Sequence, residues 1–390
     1  PQPILNEALA EMIRTEDGTR HYTGSSNRVN LAGSGPYNYR EPDTYFTEHA
    51  QGFSVELGTP SFPTVEALKA AMPETELWPI SDSWAYHDWH QTGNGATQTF
   101  MDAMAIKFGP ATSLEDFERK AQMLNYEGYR AIFEGMNAGL WTKHSGRMLW
   151  MTQPAWPSTM WQILTHDYDT HGAFYGVKKA SEPVHAQLDL PDHRITLVNN
   201  GQAPLKGLTL TSKVRSLTGK PLSDRTDKVD IAAGIAIHPF TLDLKGALAA
   251  EKLVLVSLEL TDGAGAVLSR NDYWVAADAP SHQRLNELPA APVALSARGK
   301  VGGNGEVAWD VSLTNQGTSP ALLAKLTPQK ADGSRILPAY ISDNYITLMP
   351  GETRQVTVTY PADAAGSGMP KLAVRGWNIQ PASTNVTITP

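Results

Sequence analysis

The stretch Leu253-Val-Leu-Val-Ser-Leu-Glu-Leu260, with its later counterpart Arg354-Gln-Val-Thr-Val-Thr-Tyr360, governs how most of this chain folds. Successive side chains on a strand point to opposite faces, so this alternation suits a half-buried β-strand and no helix. Around both stretches lie further Val/Leu/Ile/Thr segments broken by Gly, Pro and Asn: 195–198, 208–214 and 271–275, then 307–313, 324–327, 345–348 and 371–377. Short strands at turn-separated intervals over about 100 residues predict an immunoglobulin-like sandwich. An internal repeat doubles it. Leu197-Val-Asn-Asn-Gly201-Gln-Ala-Pro204 lines up with Leu313-Thr-Asn-Gln-Gly317-Thr-Ser-Pro320, each a strand ending in Asn, turning at Gly and resuming after Pro. Shared turn chemistry alone is the competing explanation. The expected sandwiches span 183–280 and 288–390, joined by an Ala/Pro-rich linker at 277–292.

Upstream of the Ser181-Glu182-Pro183 turn signal the texture is different. Of the ten Trp, seven precede residue 165. Residues 20–25, 52–57 and 147–151 read as buried strands. Residues 113–136 read as a long amphipathic helix with Ser113 at its N-cap, and 5–13 as a shorter helix with Asn6 as a cap. Strand alternating with helix predicts a parallel α/β sheet or barrel.

Composition removes several classes of function. The 390 residues are 41% hydrophobic and 18% charged, as globular domains are. No apolar run approaches the roughly 18 residues a spanning helix needs. A net charge of −8 without a Lys/Arg cluster argues against a nucleic-acid binder. Cys is absent, which excludes disulfides, thiolate metal sites and Cys nucleophiles and fits an exported protein, periplasmic or secreted. The chain opens at Pro1 with neither Met nor signal peptide, so a longer protein is expected. No GxSxG, HExxH or P-loop pattern occurs.

The chemistry that remains centres on Gly52-Phe-Ser-Val-Glu56-Leu-Gly58-Thr-Pro60. Here a short apolar strand ends in a carboxylate followed by Gly and Pro. A Glu at the C-terminal tip of a barrel strand faces the catalytic mouth, whereas an isolated Glu is ordinarily a solvated surface group. Two ring-rich stretches accompany it: Trp84-Ala-Tyr86-His87-Asp88-Trp89-His90 and Met148-Leu-Trp150-Met-Thr-Gln153-Pro-Ala-Trp156. Sugars offer flat C–H faces and many hydroxyls, which suits aromatic platforms beside amides and carboxylates; for any single Trp the alternative is core packing. His87 and His90 flanking Asp88 make a poor metal signal, and no metal or cofactor is expected.

These residues carry a resemblance. From about Thr19 to Gln187 the chain resembles the C-terminal half of the catalytic barrel of glycoside hydrolase family 2, in its β-mannosidase, endo-β-mannosidase and exo-β-glucosaminidase branch. The matches, in order, are Thr19-Arg20-His-Tyr22…Gly24-Ser25-Ser26, Gly35-Pro36-Tyr37, Gly52-Phe53-Ser-Val-Glu56, Tyr86-His87 and Lys120-Ala121-Gln122…Asn125-Tyr126. Trp150…Gln153-Pro-Ala-Trp156 and Gly172-Ala-Phe-Tyr175-Gly176…Glu182-Pro183…His185 complete the series. The resemblance implies a fold of half a (β/α)8 TIM barrel over 1–182 followed by the two sandwiches. Its fifth to eighth strands would be 20–25, the 35–39 region, 52–56 and 147–151.

It further implies a retaining glycoside hydrolase with Glu56 as nucleophile, and an acid/base Glu a few residues upstream of Pro1. Trp150 and Trp156 would form the floor and wall for a terminal sugar, Gln153 would bind a hydroxyl, and Tyr37, Trp84 and His87 would line the same site. The chain departs from relatives in having Gln153-Pro-Ala-Trp156 after the eighth strand, one residue longer than Asn-Pro-Trp, and Ser-Val before Glu56. The implied activity is exo-β-mannosidase, from the non-reducing end. The alternatives are exo-β-D-glucosaminidase or endo-β-mannosidase and, in another class, a non-catalytic carbohydrate-binding protein. The implied partner is the missing N-terminal part, joined covalently or docked as a cleaved subunit.

Overall fold

The computed structural model describes residues 2–25, 37–49, 51–90, 96–303 and 305–389. The first region holds α1 (Pro3–Glu16), α2 (Thr44–Thr47), β1 (Gly52–Leu57), α3 (Val65–Ala71) and α4 (Asp82–Tyr86). It continues with α5 (Gln98–Phe108), α6 (Leu114–Ala138), β2 (His144–Leu149) and α7 (Gly172–Ala180). The strands β1 and β2 pair in parallel, as the alternation of strand and helix predicts.

The expected strand at 20–25 does not form. Asp17 instead accepts from the backbone N–H groups of Thr19 (3.0 Å) and Arg20 (3.2 Å), so side chain rather than sheet satisfies the start of this segment. Of the expected sixth strand, 35–36 lie outside the described residues and 37–39 are not in a strand. The N-cap of α1 is Gln2, whose side chain accepts from Leu5 N, and not Asn6, which accepts from the Tyr22 hydroxyl at 2.9 Å.

Downstream, β3 (Val184–Leu188), β4 (Arg194–Asn199), β5 (Leu205–Arg215), β6 (Pro221–Ile231) and β7 (Ile235–Thr241) are followed by α8 (Lys245–Glu251), β8 (Leu253–Thr261) and β9 (Val267–Ala276). The order β3-β4-β7 faces the order β6-β5-β8-β9 across one core, with Leu197 and Ile195 packed among Leu210, Val256 and Tyr273. The last region has β10 (Val293–Val301), β11 (Glu306–Asn315), β12 (Ala321–Gln329), β13 (Tyr340–Ile341), β14 (Ile346–Leu348), β15 (Thr353–Pro361), β16 (Lys371–Arg375), β17 (Ala382–Asn385) and β18 (Thr387–Thr389). Its sheets run β13-β15-β11-β10-β18 and β14-β12-β16-β17.

The repeat seen in the sequence is a repeated hydrogen-bonding corner. Asn199 donates to Ala203 O at 2.9 Å and accepts from Gly201 N at 2.9 Å. Asn315 donates to Ser319 O at 2.8 Å and accepts from Gly317 N at 2.9 Å. Each amide also reaches a carbonyl of a more distant segment, Ala232 O at 3.1 Å and Leu348 O at 3.0 Å respectively. One buried amide thus closes a turn and pins it to a second segment.

The expected amphipathic helix is α6, capped as expected by Ser113. It is not half-exposed: twenty of its 25 residues are buried, because both sandwiches close over its polar face. Toward the last sandwich, Glu118 pairs with Arg375 at 2.7 Å, and Glu66 of α3 meets both Arg375 (2.7 Å) and Lys325 (2.9 Å). Burial raises the Glu66 carboxyl, and the two cations beside it more than reverse this and hold it well below its ordinary range. Toward the first sandwich, Arg130 donates to Asp272 O at 2.7 Å and stacks 4.0 Å from the Tyr273 ring centroid. Glu134 accepts from Tyr273 OH at 2.6 Å and lies 3.2 Å from His185. A helix with charges all along one side is stable inside a protein only when those charges are paired, and here they are.

Candidate active site

The strand β1 carries a bulge. Ser54 pairs with Arg147 and Leu57 with Leu149, so three steps on β1 match two on β2, and the extra residue falls at Val55–Glu56. A bulge bends the strand and re-aims the side chains beside it. Glu56 is half-buried there, and among the described residues its carboxylate has no hydrogen-bond or ion-pair partner. The next residue, Leu57, accepts from Trp150 N at 3.0 Å, so Glu56 and Trp150 occupy neighbouring strand tips. Gly58 is required by close approach: a Cβ would lie 2.0 Å from Trp150 O.

Beyond Trp150, the segment 151–162 folds into one wall of an open cleft of about 330 Å³. Trp150, Trp156 and Trp161 line it together with Asp88, His90 and Gln162. Trp156 is 39% exposed and stacks on His87 at 5.4 Å, with Tyr86 edge-on at 5.6 Å. His87 Nδ1 lies 2.5 Å from Pro157 O, which places a proton on that nitrogen. His87 also receives Thr159 N (3.0 Å) and Oγ1 (2.7 Å) on its carbonyl, tying α4 to this wall.

Three of the expected site residues stand elsewhere. Trp84 is fully buried, with its indole N–H 3.2 Å from the carbonyls of Glu76 and Leu77 and its ring among Phe62, Trp89 and Phe117. It is a core residue and cannot meet a sugar. Tyr37 is 6% exposed and backs the wall from behind, its ring 4.8 Å from Trp161 and its carbonyl accepting from Trp161 Nε1 at 3.3 Å. Gln153 donates to His166 O at 3.3 Å; the amide that lines the cleft is Gln162. Trp150 and Trp156 line the cleft, His87 packs on Trp156 from outside the lining, and Glu56 stands at the strand tip next to Trp150.

Residues of α6 hold this arrangement from below, a role not evident in a helical pattern. Asn125 accepts from Phe62 N (3.1 Å) and donates to Phe62 O (2.8 Å), while Gln122 donates to Phe62 O and Pro63 O, both at 3.0 Å. Tyr129 OH lies 2.8 Å from both Thr59 O and Trp161 O, bridging the segment after Glu56 to the cleft wall. The signal was the polar spacing of Gln122 and Asn125 on a face that sequence assigns to solvent. On α7, Gly172 and Gly176 let the helix reach α6 closely: a Cβ would come within 2.5 Å of Gln122 O or 2.4 Å of Tyr126 O.

Residues 192–277 match the family described as mannosidase Ig/CBM-like domain, and 271–379 the exo-β-D-glucosaminidase Ig-fold domain. An exo-β-D-glucosaminidase of Streptomyces avermitilis is 31% identical over 97% of this chain and 44% of its own length. A crystal structure of an Amycolatopsis orientalis exo-chitosanase, 27% identical, superposes with a TM-score of 0.83 over 92% of this chain and 45% of that one. The chain belongs to this branch of glycoside hydrolase family 2. A mannosylglycoprotein endo-β-mannosidase of Lilium longiflorum is also similar, 26% identical over 93% of this chain and 46% of its own. A β-D-mannosidase of Dictyoglomus thermophilum, 17% identical, shares the fold at a TM-score of 0.73 over 95% of this chain and 44% of that one. The chain therefore spans a little under half the length of these relatives.

Proposed function

We propose that this chain forms the nucleophile-bearing part of a retaining glycoside hydrolase acting on β-D-glucosaminides or β-D-mannosides. On this reading residues 1–182 are the C-terminal half of a (β/α)8 barrel and carry the site, with 183–280 and 288–390 as supporting sandwiches. The observation that supports it is the position of Glu56: a carboxylate with no partner among the described residues, in a strand bulge, one residue from the strand tip bonded to Trp150 of an aromatic cleft.

In the proposed reaction Glu56 attacks the anomeric carbon and expels the leaving oxygen, which a second carboxyl protonates. Water activated by that second group then releases the sugar. Retaining chemistry needs the two carboxyls about 5–5.5 Å apart. The second belongs to the part of the protein outside this chain, covalently joined or docked against it. Trp150 and Trp156 offer faces to the sugar ring, and His87 holds Trp156 in place. The exposed apolar side of α1, with Ile4 74% and Leu5 63% exposed, together with the two-stranded parallel sheet, suits an interface with that complementary part. Export to the periplasm or exterior goes with this reading.

The test is hydrolysis by the complete enzyme of p-nitrophenyl β-glucosaminide, β-mannoside, β-galactoside and β-glucuronide. Turnover of either of the first two, with retention of configuration, is expected. No turnover of any, with sugar binding intact, would leave a carbohydrate-binding protein.

A further inference from the structure

Among the described residues that line the cleft Asp88 is the one carboxylate, Glu56 standing outside the lining at the strand tip next to Trp150. Asp88 is half-buried, and among the described residues it has neither a hydrogen-bond nor an ion-pair partner for its side chain. No Lys or Arg is among the described residues that line the cleft. Carboxylates that follow the cleft wall in sequence are used differently: Asp167 and Asp169 pair with Arg335 at 2.6 and 2.9 Å, and Asp169 also accepts from Thr64. Asp88 is the exception.

Its placement is fixed rather than incidental. Asp88 sits just past α4 with φ 71°, its N–H donating to Ala85 O at 3.1 Å and its carbonyl accepting from His90 N at 3.0 Å. Trp161, on the same cleft, has φ 61°. The left-handed region is tolerable for Asp and costly for a bulky residue such as Trp, and strain of this kind collects at binding sites. A carboxylate drawn part-way out of water with no counter-charge is unfavourable until a cation meets it, and the faces of neighbouring indoles attract cations as well.

We propose that Asp88 selects an amino sugar: its carboxylate accepts a charge-assisted hydrogen bond from the protonated amino group of a β-D-glucosaminide, and so separates that substrate from the neutral β-D-mannoside. This rests on the glycosidase reading of the same cleft.

The experiment compares kcat/KM for p-nitrophenyl β-D-glucosaminide and β-D-mannoside in the complete enzyme and in Asp88→Asn and Asp88→Glu. Hydrogen bonds to charged groups contribute enough that Asp88→Asn should lower the glucosaminide-to-mannoside ratio about ten- to a hundredfold. Asp88→Glu, which keeps the charge, should retain much of the preference. An unchanged ratio in Asp88→Asn, whether both rates fall together or neither does, overturns the assignment. Tryptophan fluorescence titrations with glucosamine and with glucose separate the two claims. An enzyme that cleaves nothing yet binds glucosamine, and loses that selectivity in Asp88→Asn, removes the glycosidase reading and keeps the inference. Equal affinity for glucosamine and glucose in the wild type overturns the inference.

Discussion

Two groups of tryptophans lie within one lobe and behave oppositely. Trp84 and Trp89, with Phe62, Phe100 and Phe117, form an interlocked core in which ring centroids are 4.9–6.4 Å apart. Trp150 and Trp156 stand 44% and 39% exposed on the cleft. Burial separates Trp84 from Trp156 in chemical terms: the core ring has its N–H bonded to backbone carbonyls, while the rim ring leans on His87 and keeps a face open. Aromatic density therefore marks a lobe, and only the loop geometry after β2 turns some of those rings into a surface.

The largest effect is expected at the carboxylate beside the rim. Glu56→Ala in the complete enzyme should cut turnover roughly a thousandfold or more, a barrier rise of about 4 kcal/mol, with little change in melting temperature because Glu56 supports no described contact. Trp84→Ala should act the other way, destabilising the fold by about 4 kcal/mol in denaturant unfolding. Trp156→Ala should leave unfolding nearly unchanged and raise KM. Equal stability losses in the two Trp variants would erase the distinction between core and rim.

A smaller effect concerns the junction behind the core. Arg375→Ala strands Glu118, which is 2% exposed, and should destabilise by about 3 kcal/mol. The pH dependence comes from Glu66. Its carboxyl is lower in the folded chain than its ordinary value near 4.5, so its contribution is complete above that value and is lost as pH falls through the folded one. Acid unfolding curves should therefore steepen below about pH 4.5, and Glu66→Gln should flatten that dependence. The smallest effect is at the repeated corners. Asn199→Ala and Asn315→Ala should each cost about 1–2 kcal/mol, and by similar amounts, since the two amides make equivalent bonds.

The strands around 253–260 and 354–360 and the Asn corners were legible because period-two alternation and turn residues are local signals. So was β1, which spans 52–57 as expected. The strands β6 and β7 were not: Pro221–Ile231 reads Ser-Asp-Arg-Thr-Asp-Lys through its middle and is mostly exposed, so no buried face marks it. The helix α6 misled because its polar face is covered by partners distant in sequence, Arg375 and Tyr273 among them. Glu56 and Trp156 could be picked out from neighbours in the chain. Trp84 could not be told from a platform, since its burial depends on Phe62 and Phe117, and Tyr129 gave no sign of bridging Thr59 and Trp161.

Trapping the covalent intermediate reads the role of Glu56 without passing through rates. The complete enzyme is incubated with a 5-fluoro glycosyl fluoride of the preferred sugar, which keeps the substituent on C2, then digested and mapped by mass spectrometry. A glycosyl adduct on the peptide containing Glu56, absent in Glu56→Gln, is the predicted result. An enzyme that turns over its substrate but carries the adduct on another carboxylate would contradict it.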